Sequence, residues 1–224
     1  MYLVGRSVRF LRGCLASYAP SSIKKVFWDR EFSRGNWDFL DDTRGDCIYR
    51  HLERHAGNGC ILDLGCGPGN TANELASTAY RKYVGLDISE AALEKARRRT
   101  EANGRSEKNS FVQGDFLSYT PTQQFDVILF RESLYHVPMG KIKSVLARYA
   151  KFLRDGGVLM VRLATFVDGK RKRRPTAMIG IVESEFDVVE KAEYGKSGAT
   201  IVVVRPKPRA MSCETYSRAV AHRA

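Results

Sequence analysis

Short unbroken apolar runs alternate along the chain with stretches in which apolar residues recur every three or four positions. Cys60 to Leu64, Tyr83 to Asp87, Phe111 to Gly114, Phe125 to Phe130 and Val158 to Ala164 read as buried strands. Between them, Thr71 to Ser77 reads as a helix, and Ser89 as the N-cap of a second, with Glu90 in its first turn, running to about Ala102. A third helix spans Lys141 to Leu153 and stops at Gly156-Gly157. Parallel neighbours need crossover connections, so this rhythm predicts an α/β fold, a mainly parallel sheet with helices on both faces. The end of the chain breaks the rhythm. Phe186 to Tyr194 and Ala199 to Arg205 are strand-like and joined by Gly195-Lys196-Ser197-Gly198, which predicts one antiparallel pair at the sheet edge.

With 224 residues and 43% apolar side chains, the chain suits one domain with a buried core. Its net charge of +12 is unevenly placed. Residues 1–25 hold five Lys or Arg and no acid, residues 170–174 hold five more, and residues 205–224 hold five against Glu214. The remainder is slightly acidic, so the body is not a basic nucleic-acid-binding domain. Three segments are expected: a basic N-terminal segment (1–25), the folded domain (26–206) and a flexible basic tail (207–224). Five cysteines without a Cys-x-x-Cys pair fit reduced thiols in a cytoplasmic protein and predict no structural metal. No run is apolar and long enough for a membrane helix, although the basic, apolar-spotted start could touch a membrane surface peripherally.

The chemistry begins at Asp63-Leu64-Gly65-Cys66-Gly67-Pro68-Gly69-Asn70. Glycines after a strand and before a helix let the backbone pass close beneath a ligand. Asn70 occupies the place of the third glycine of a dinucleotide fingerprint, which argues against a pyrophosphate, and Asp63 suits a ligand bearing an ammonium or sulfonium better than a phosphate. Asp87 ends the second strand, where a carboxylate can accept from both hydroxyls of a ribose. Asp115 follows the third, where it can accept from an exocyclic amine while Phe116 packs on a purine face. All three acids fall at the carboxyl ends of successive strands, the edge at which open α/β sheets bind ligands.

In these residues the chain resembles the class I S-adenosylmethionine-dependent methyltransferases, and from Glu132 to the final hairpin it looks most like bacterial ones that modify small molecules and glycans. Asp63 to Gly69 looks like their first motif, Val84-Gly-Leu-Asp87 like the second, Gly114-Asp115-Phe116 like the adenine motif, and Phe125-Asp-Val-Ile-Leu-Phe130 like the strand at the reaction centre. Leu153-Arg-Asp-Gly-Gly157 resembles the turn more often written with Lys-Pro-Gly-Gly. The resemblance covers about residues 26–206. It implies a Rossmann-like, doubly wound seven-stranded sheet with the last strand antiparallel, and S-adenosyl-L-methionine as cofactor. It implies that Gly65, Gly67 and Gly69 lie under the methionine part, Asp63 near its amino group, Asp87 on ribose, and Asp115 and Phe116 at adenine, with Cys66, Ile88 and Arg131 also at the cofactor.

A base is needed only if the acceptor keeps its proton, and His136, with Glu132 to orient it or the acceptor, is the candidate after strand four. The Asp-Pro-Pro-Tyr or Asn-Pro-Pro-Tyr tetrapeptide of amino-methylating nucleic-acid enzymes is absent, which disfavours base methylation. Trp28 and Trp37 fall in a segment that, by the resemblance, would fold over the cofactor as a lid; the competing view is that they simply fix an N-terminal helix to the body. The run Lys170-Arg171-Lys172-Arg173-Arg174 on the ligand edge could meet an acidic acceptor or be solvated loop charge. The expected function is methyl transfer to a small-molecule or saccharide acceptor at oxygen. The alternatives are an RNA methyltransferase and a catalytically silent binding module.

Overall fold

A computed structural model describes residues 17–40, 42–167, 170–195 and 197–208. Most of the basic N-terminal segment and of the C-terminal tail, with Cys14, Cys213 and Lys196, thus lies outside the described residues. The elements are α1 (Ser21–Ser33), α2 (Ile48–Ala56), β1 (Gly59–Leu64), α3 (Asn70–Glu74), β2 (Tyr80–Asp87), α4 (Glu90–Ala102), β3 (Asn109–Gln113) and β4 (Phe125–Arg131). They are followed by α5 (Ile142–Ala150), β5 (Leu153–Ala164), the short pair β6 (Phe166–Val167) and β7 (Lys170–Arg171), α6 (Arg173–Glu185), β8 (Phe186–Tyr194) and β9 (Ala199–Pro206).

Seven strands form one sheet in the order β3-β2-β1-β4-β5-β9-β8. Pairs β2/β3, β1/β2, β1/β4 and β4/β5 are parallel, whereas β9 runs antiparallel to both β5 and β8. The expected seven-stranded α/β sheet with its last strand antiparallel is therefore present, and β8 is the edge. The continuous apolar runs split between the two faces residue by residue. Leu62, Ile128, Leu159 and Val202 point to one core, against α5 and α6, while Ile61, Val127, Val158 and Ile201 point to the other, against α2. A sheet covered on both faces needs no polar alternation.

Local boundaries follow local chemistry. Ser89 caps α4, its Oγ accepting from the Ala92 N–H at 3.2 Å, and Asp29 reinforces the same end by accepting from the Ser89 hydroxyl and the Ala91 N–H. Helix α3 is shorter than its pattern: Leu75 is already extended, and the Ala72 and Leu75 carbonyls accept from the Arg105 guanidinium instead of later turns. Helix α6 was not legible, and the basic run expected in a loop is instead strand β7 plus the first turn of this helix. Parallel order reverses between β1 and β4, and the crevice beyond their carboxyl ends is where the site forms.

Candidate active site

The turn after β1 is stitched to the end of β2. The Gly65 and Cys66 N–H groups both donate to the Leu86 carbonyl, at 2.8 and 3.0 Å. The Gly67 N–H donates to Asp87 Oδ2 at 2.8 Å and the Ser89 N–H to Asp87 Oδ1 at 2.9 Å. Asp87 thus holds the glycine turn in place while facing the crevice. Burial pushes its carboxyl up to about 6, against the pull of those two N–H donors.

The three glycines serve different ends. Gly65 has φ +83°, and a Cβ there would stand 2.6 Å from the Ser133 Cβ, so the tips of β1 and β4 approach as closely as they do only with glycine. Gly69, at φ +75°, would strike Ala96 of α4 at 2.7 Å. A Cβ on Gly67 would meet nothing closer than Phe32 at 3.8 Å, because this residue faces the open crevice.

The crevice is a cavity of about 370 Å³. Gly65, Gly67, Asp87, Ile88, Asp115 and Phe116 supply one part of its wall; Arg131, Glu132, Ser133, Tyr135 and His136 supply another. Lys24, Trp28, Phe32, Trp37 and Phe39 cover it. Of the residues expected at the cofactor, Asp63, Cys66 and Gly69 do not line the cavity. Cys66 is buried, its sulfur in the space beside Gly85, and burial raises its thiol well above the ordinary range. Asp63 is fully buried and accepts from the Tyr83 hydroxyl at 2.7 Å, burial pushing its carboxyl up. Its Oδ1 finds no hydrogen-bond partner among the described residues, nor do the buried Trp37 Nε1 and Ser133 Oγ in the cavity wall. Such orphaned groups are uncommon in folded proteins and fit a site built to receive a polar ligand.

Trp28 and Trp37 both face this cavity, and α1 brings Trp28, with Lys24 and Phe32, into its wall. Their rings lie 5.5 Å apart, and Trp28 meets His136 edge-on at 5.0 Å. Sequence reasoning missed Lys24, which forms an ion pair with Asp115; Ser21 donates to the same Oδ2 at 2.7 Å. Burial raises the Asp115 carboxyl, but Lys24 and the Leu117 N–H outweigh it and the net shift is downward.

Beneath the opposite wall runs a charged chain. Arg131 donates to Asp46 at 2.8 Å and to the Tyr49 hydroxyl at 3.0 Å, and Arg162 bridges Asp46, at 3.3 Å, and Glu132. Glu132 adopts a left-handed backbone, φ +53°, rare outside glycine. Burial pushes its carboxyl up, only partly offset by Arg162. A detectable signal for this chain did exist: Arg162 interrupts the apolar run of strand five, where a lone cation requires a buried partner. His136, shielded from water and near Arg174 and Lys24, is lowered to about 4 and stays neutral at physiological pH.

Residues 61–157 match the protein family described as "Methyltransferase domain". This central part of the chain is similar to a methyltransferase domain. Sterol 24-C-methyltransferase erg6 of Aspergillus fumigatus is 35% identical over 102 residues, 45% of this chain and 26% of that protein. The 27-O-demethylrifamycin SV methyltransferase of Amycolatopsis mediterranei is 30% identical over 139 residues, 59% of this chain and 50% of that protein. The chain therefore aligns with half or less of these two relatives' lengths. In fold, the domain is similar to the N-methyltransferase NodS of Bradyrhizobium japonicum, solved with S-adenosyl-L-homocysteine, at a TM-score of 0.61 and 19% identity, covering 80% of this chain and 97% of that one. The family match begins within β1 and ends at Gly157, before the basic run, α6 and the final hairpin.

Proposed function

We propose that the protein is an S-adenosyl-L-methionine-dependent methyltransferase acting on a small molecule at a hydroxyl oxygen. The observation that carries this reading is the convergence of Gly67, Asp87 and Asp115, from three successive strand ends, on one tryptophan-roofed cavity. When bound, the cofactor supplies an electrophilic methyl group on sulfur, already activated for transfer.

The chain's own residues do the rest. Gly67 leaves backbone room for the methionine part, with the Asp63 carboxyl beneath it, while Gly65, Cys66 and Gly69 shape the turn. Asp87 with Ile88 takes the ribose, and Asp115 with Phe116 the adenine. Arg131 is fixed by Asp46 and Tyr49 and so closes the wall as a rigid cation. The aromatic roof excludes water, and orientation in such a dry pocket provides most of the acceleration open to the protein. His136, neutral, can take the acceptor's hydroxyl proton; Glu132, held by Arg162, orients it or the acceptor.

The named relatives are a C-, an O- and an N-methyltransferase, so the choice of oxygen rests on the position of His136 beside Glu132 in the cavity wall. Aromatic walls and a few polar groups suit a sugar or a flat apolar acceptor. The described cysteines, Cys47, Cys60 and Cys66, are free thiols, which suits a reducing, cytoplasmic setting. The test is to incubate the protein with cell extract and cofactor bearing a deuterated methyl group, followed by untargeted mass spectrometry. A labelled small molecule formed by the native chain and lost in His136→Ala supports the reading; label only in RNA, or none in any fraction, overturns it.

A further inference from the structure

We propose that the outer face of α1, together with the basic start of α6, docks the protein on an anionic lipid bilayer. Helix α1 is apolar on two sides. Its inner side carries Lys24, Trp28 and Phe32 to the cavity. Its outer side carries Ile23 and Val26, 48% and 62% exposed, which with Phe27 and Arg30 line a shallow groove; Tyr18, just before the helix, is 61% exposed. Ile23, Val26, Phe27 and Arg30 recur at helical spacing, so they form one ridge. Among the described residues nothing in the packing of the domain requires these side chains to be apolar, since the roof of the cavity is made by the other side of the helix.

The charges on α1 are sorted in the same sense. Its two acids turn inward, Asp29 to cap α4 and Glu31 to burial, while Lys25 and Arg30 on the helix and Arg34 at its C-cap are exposed. Every solvent-facing charge of this element is therefore positive. Ser17 and Arg174 both donate to the Tyr135 carbonyl, at 3.5 and 2.9 Å, so the first turn of α6 lies beside the start of α1. That first turn exposes Lys172, Arg173 and Arg174 and contains no acid. Cations at a helix N-terminus oppose the helix dipole, an arrangement that an external anionic surface would offset.

An aliphatic ridge flanked by cations is the pattern of an interfacial helix, whose apolar side enters the acyl boundary while Lys and Arg meet the headgroups. A nucleic acid would instead be met by aromatic stacking platforms along a basic groove, and Ile23 and Val26 offer neither. Docking through α1 would hold the lid of the cavity against the lipid, which suits an acceptor that partitions into membranes. This last step rests on the methyltransferase reading; the docking itself does not.

The test is sedimentation of the full-length protein with vesicles of phosphatidylcholine alone or mixed with phosphatidylglycerol. The native protein should bind the mixed vesicles and not the neutral ones. Ile23→Asn/Val26→Asn should weaken binding at least tenfold, and Lys172→Gln/Arg173→Gln by about fivefold for each charge removed. Val26→Lys separates insertion from simple attraction: it weakens binding if Val26 enters the bilayer and tightens it if charge alone acts. Unchanged binding by the Ile23/Val26 pair, or tightening by Val26→Lys, would overturn the proposal, since the basic chain ends would then account for all of it. So would tighter binding to a single-stranded RNA oligonucleotide that ignores the pair, or a dimer in solution that the pair dissociates without changing vesicle binding. Circular dichroism and S-adenosylhomocysteine titration of the same variants should match the native protein, so loss of cofactor binding in the native chain is seen separately from loss of docking.

Discussion

Asp87 shows how one residue can be both scaffold and ligand-facing group. Its oxygens accept from Gly67 and Ser89, yet burial leaves its carboxyl at about 6, above the unfolded value near 4. The folded chain therefore holds this proton more tightly than the unfolded one, and this residue's contribution falls as pH rises from about 4 to 6. A ligand whose hydroxyls donate to the carboxylate favours the charged form, so S-adenosylhomocysteine affinity should increase from pH 5 to 7 and then level. Asp87→Asn should flatten that rise and weaken binding at neutral pH by about 1 to 3 kcal/mol, read by calorimetry. Affinity that ignores both pH and the substitution refutes the ribose assignment. His136 has the opposite sign. Burial first, then Arg174 and Lys24, lower it to about 4, so it contributes stability that is complete above its unfolded value near 6.5 and drains away as pH falls toward 4. Its imidazole resonances should titrate near pH 4 by nuclear magnetic resonance, and higher in Arg174→Gln; a midpoint near 6.5 in the native chain would show that burial and the neighbouring cations do not act on the ring.

At the scale of elements, α1 is tied to the body through Lys24 and Asp115, whose side chains are only 7% and 8% exposed. Removing one partner of such a pair leaves a buried charge, a loss of about 3 to 5 kcal/mol. Lys24→Met should therefore destabilise the chain by about 3 kcal/mol in urea unfolding. Adding Asp115→Asn to it should restore at least half, because the stranded carboxylate is gone; additive losses would show that the two do not interact. This pair also marks the limit of what the sequence discloses. Ser89, Glu90 and the glycine turn announce themselves within a few residues, and the strand runs are legible because each buried strand is apolar throughout. Lys24 and Asp115 lie 91 positions apart, with no local pattern to join them. Helix α6 was hidden for a different reason: Pro175 and the cations before it resemble a loop, although proline is well tolerated in a helix's first turn, and Gly180 sits exposed mid-helix where nothing packs against it.

For the molecule as a whole, cavity, roof and sheet edge form one unit, because the turn after β1 is bonded to the end of β2 and α1 is bonded to the segment after β3. A ligand that fills the cavity should therefore stabilise the entire chain rather than a loop. For a ligand that binds only the folded form, a concentration of 100 times Kd adds about 2.7 kcal/mol, and in a protein of this size each kcal/mol is worth about 2 to 4 °C. S-adenosylhomocysteine at that excess should raise Tm by about 5 to 10 °C. The chain has two tryptophans and both line the cavity, so the same titration should change the intrinsic fluorescence. The two signals test different links. A Tm shift without a fluorescence change places the ligand away from the roofed cavity, whereas a fluorescence change without a shift means that the roof moves but the sheet edge does not hold the ligand. Only both together, with the Tm shift reduced in Asp87→Asn, match a cofactor seated between the glycine turn and α1.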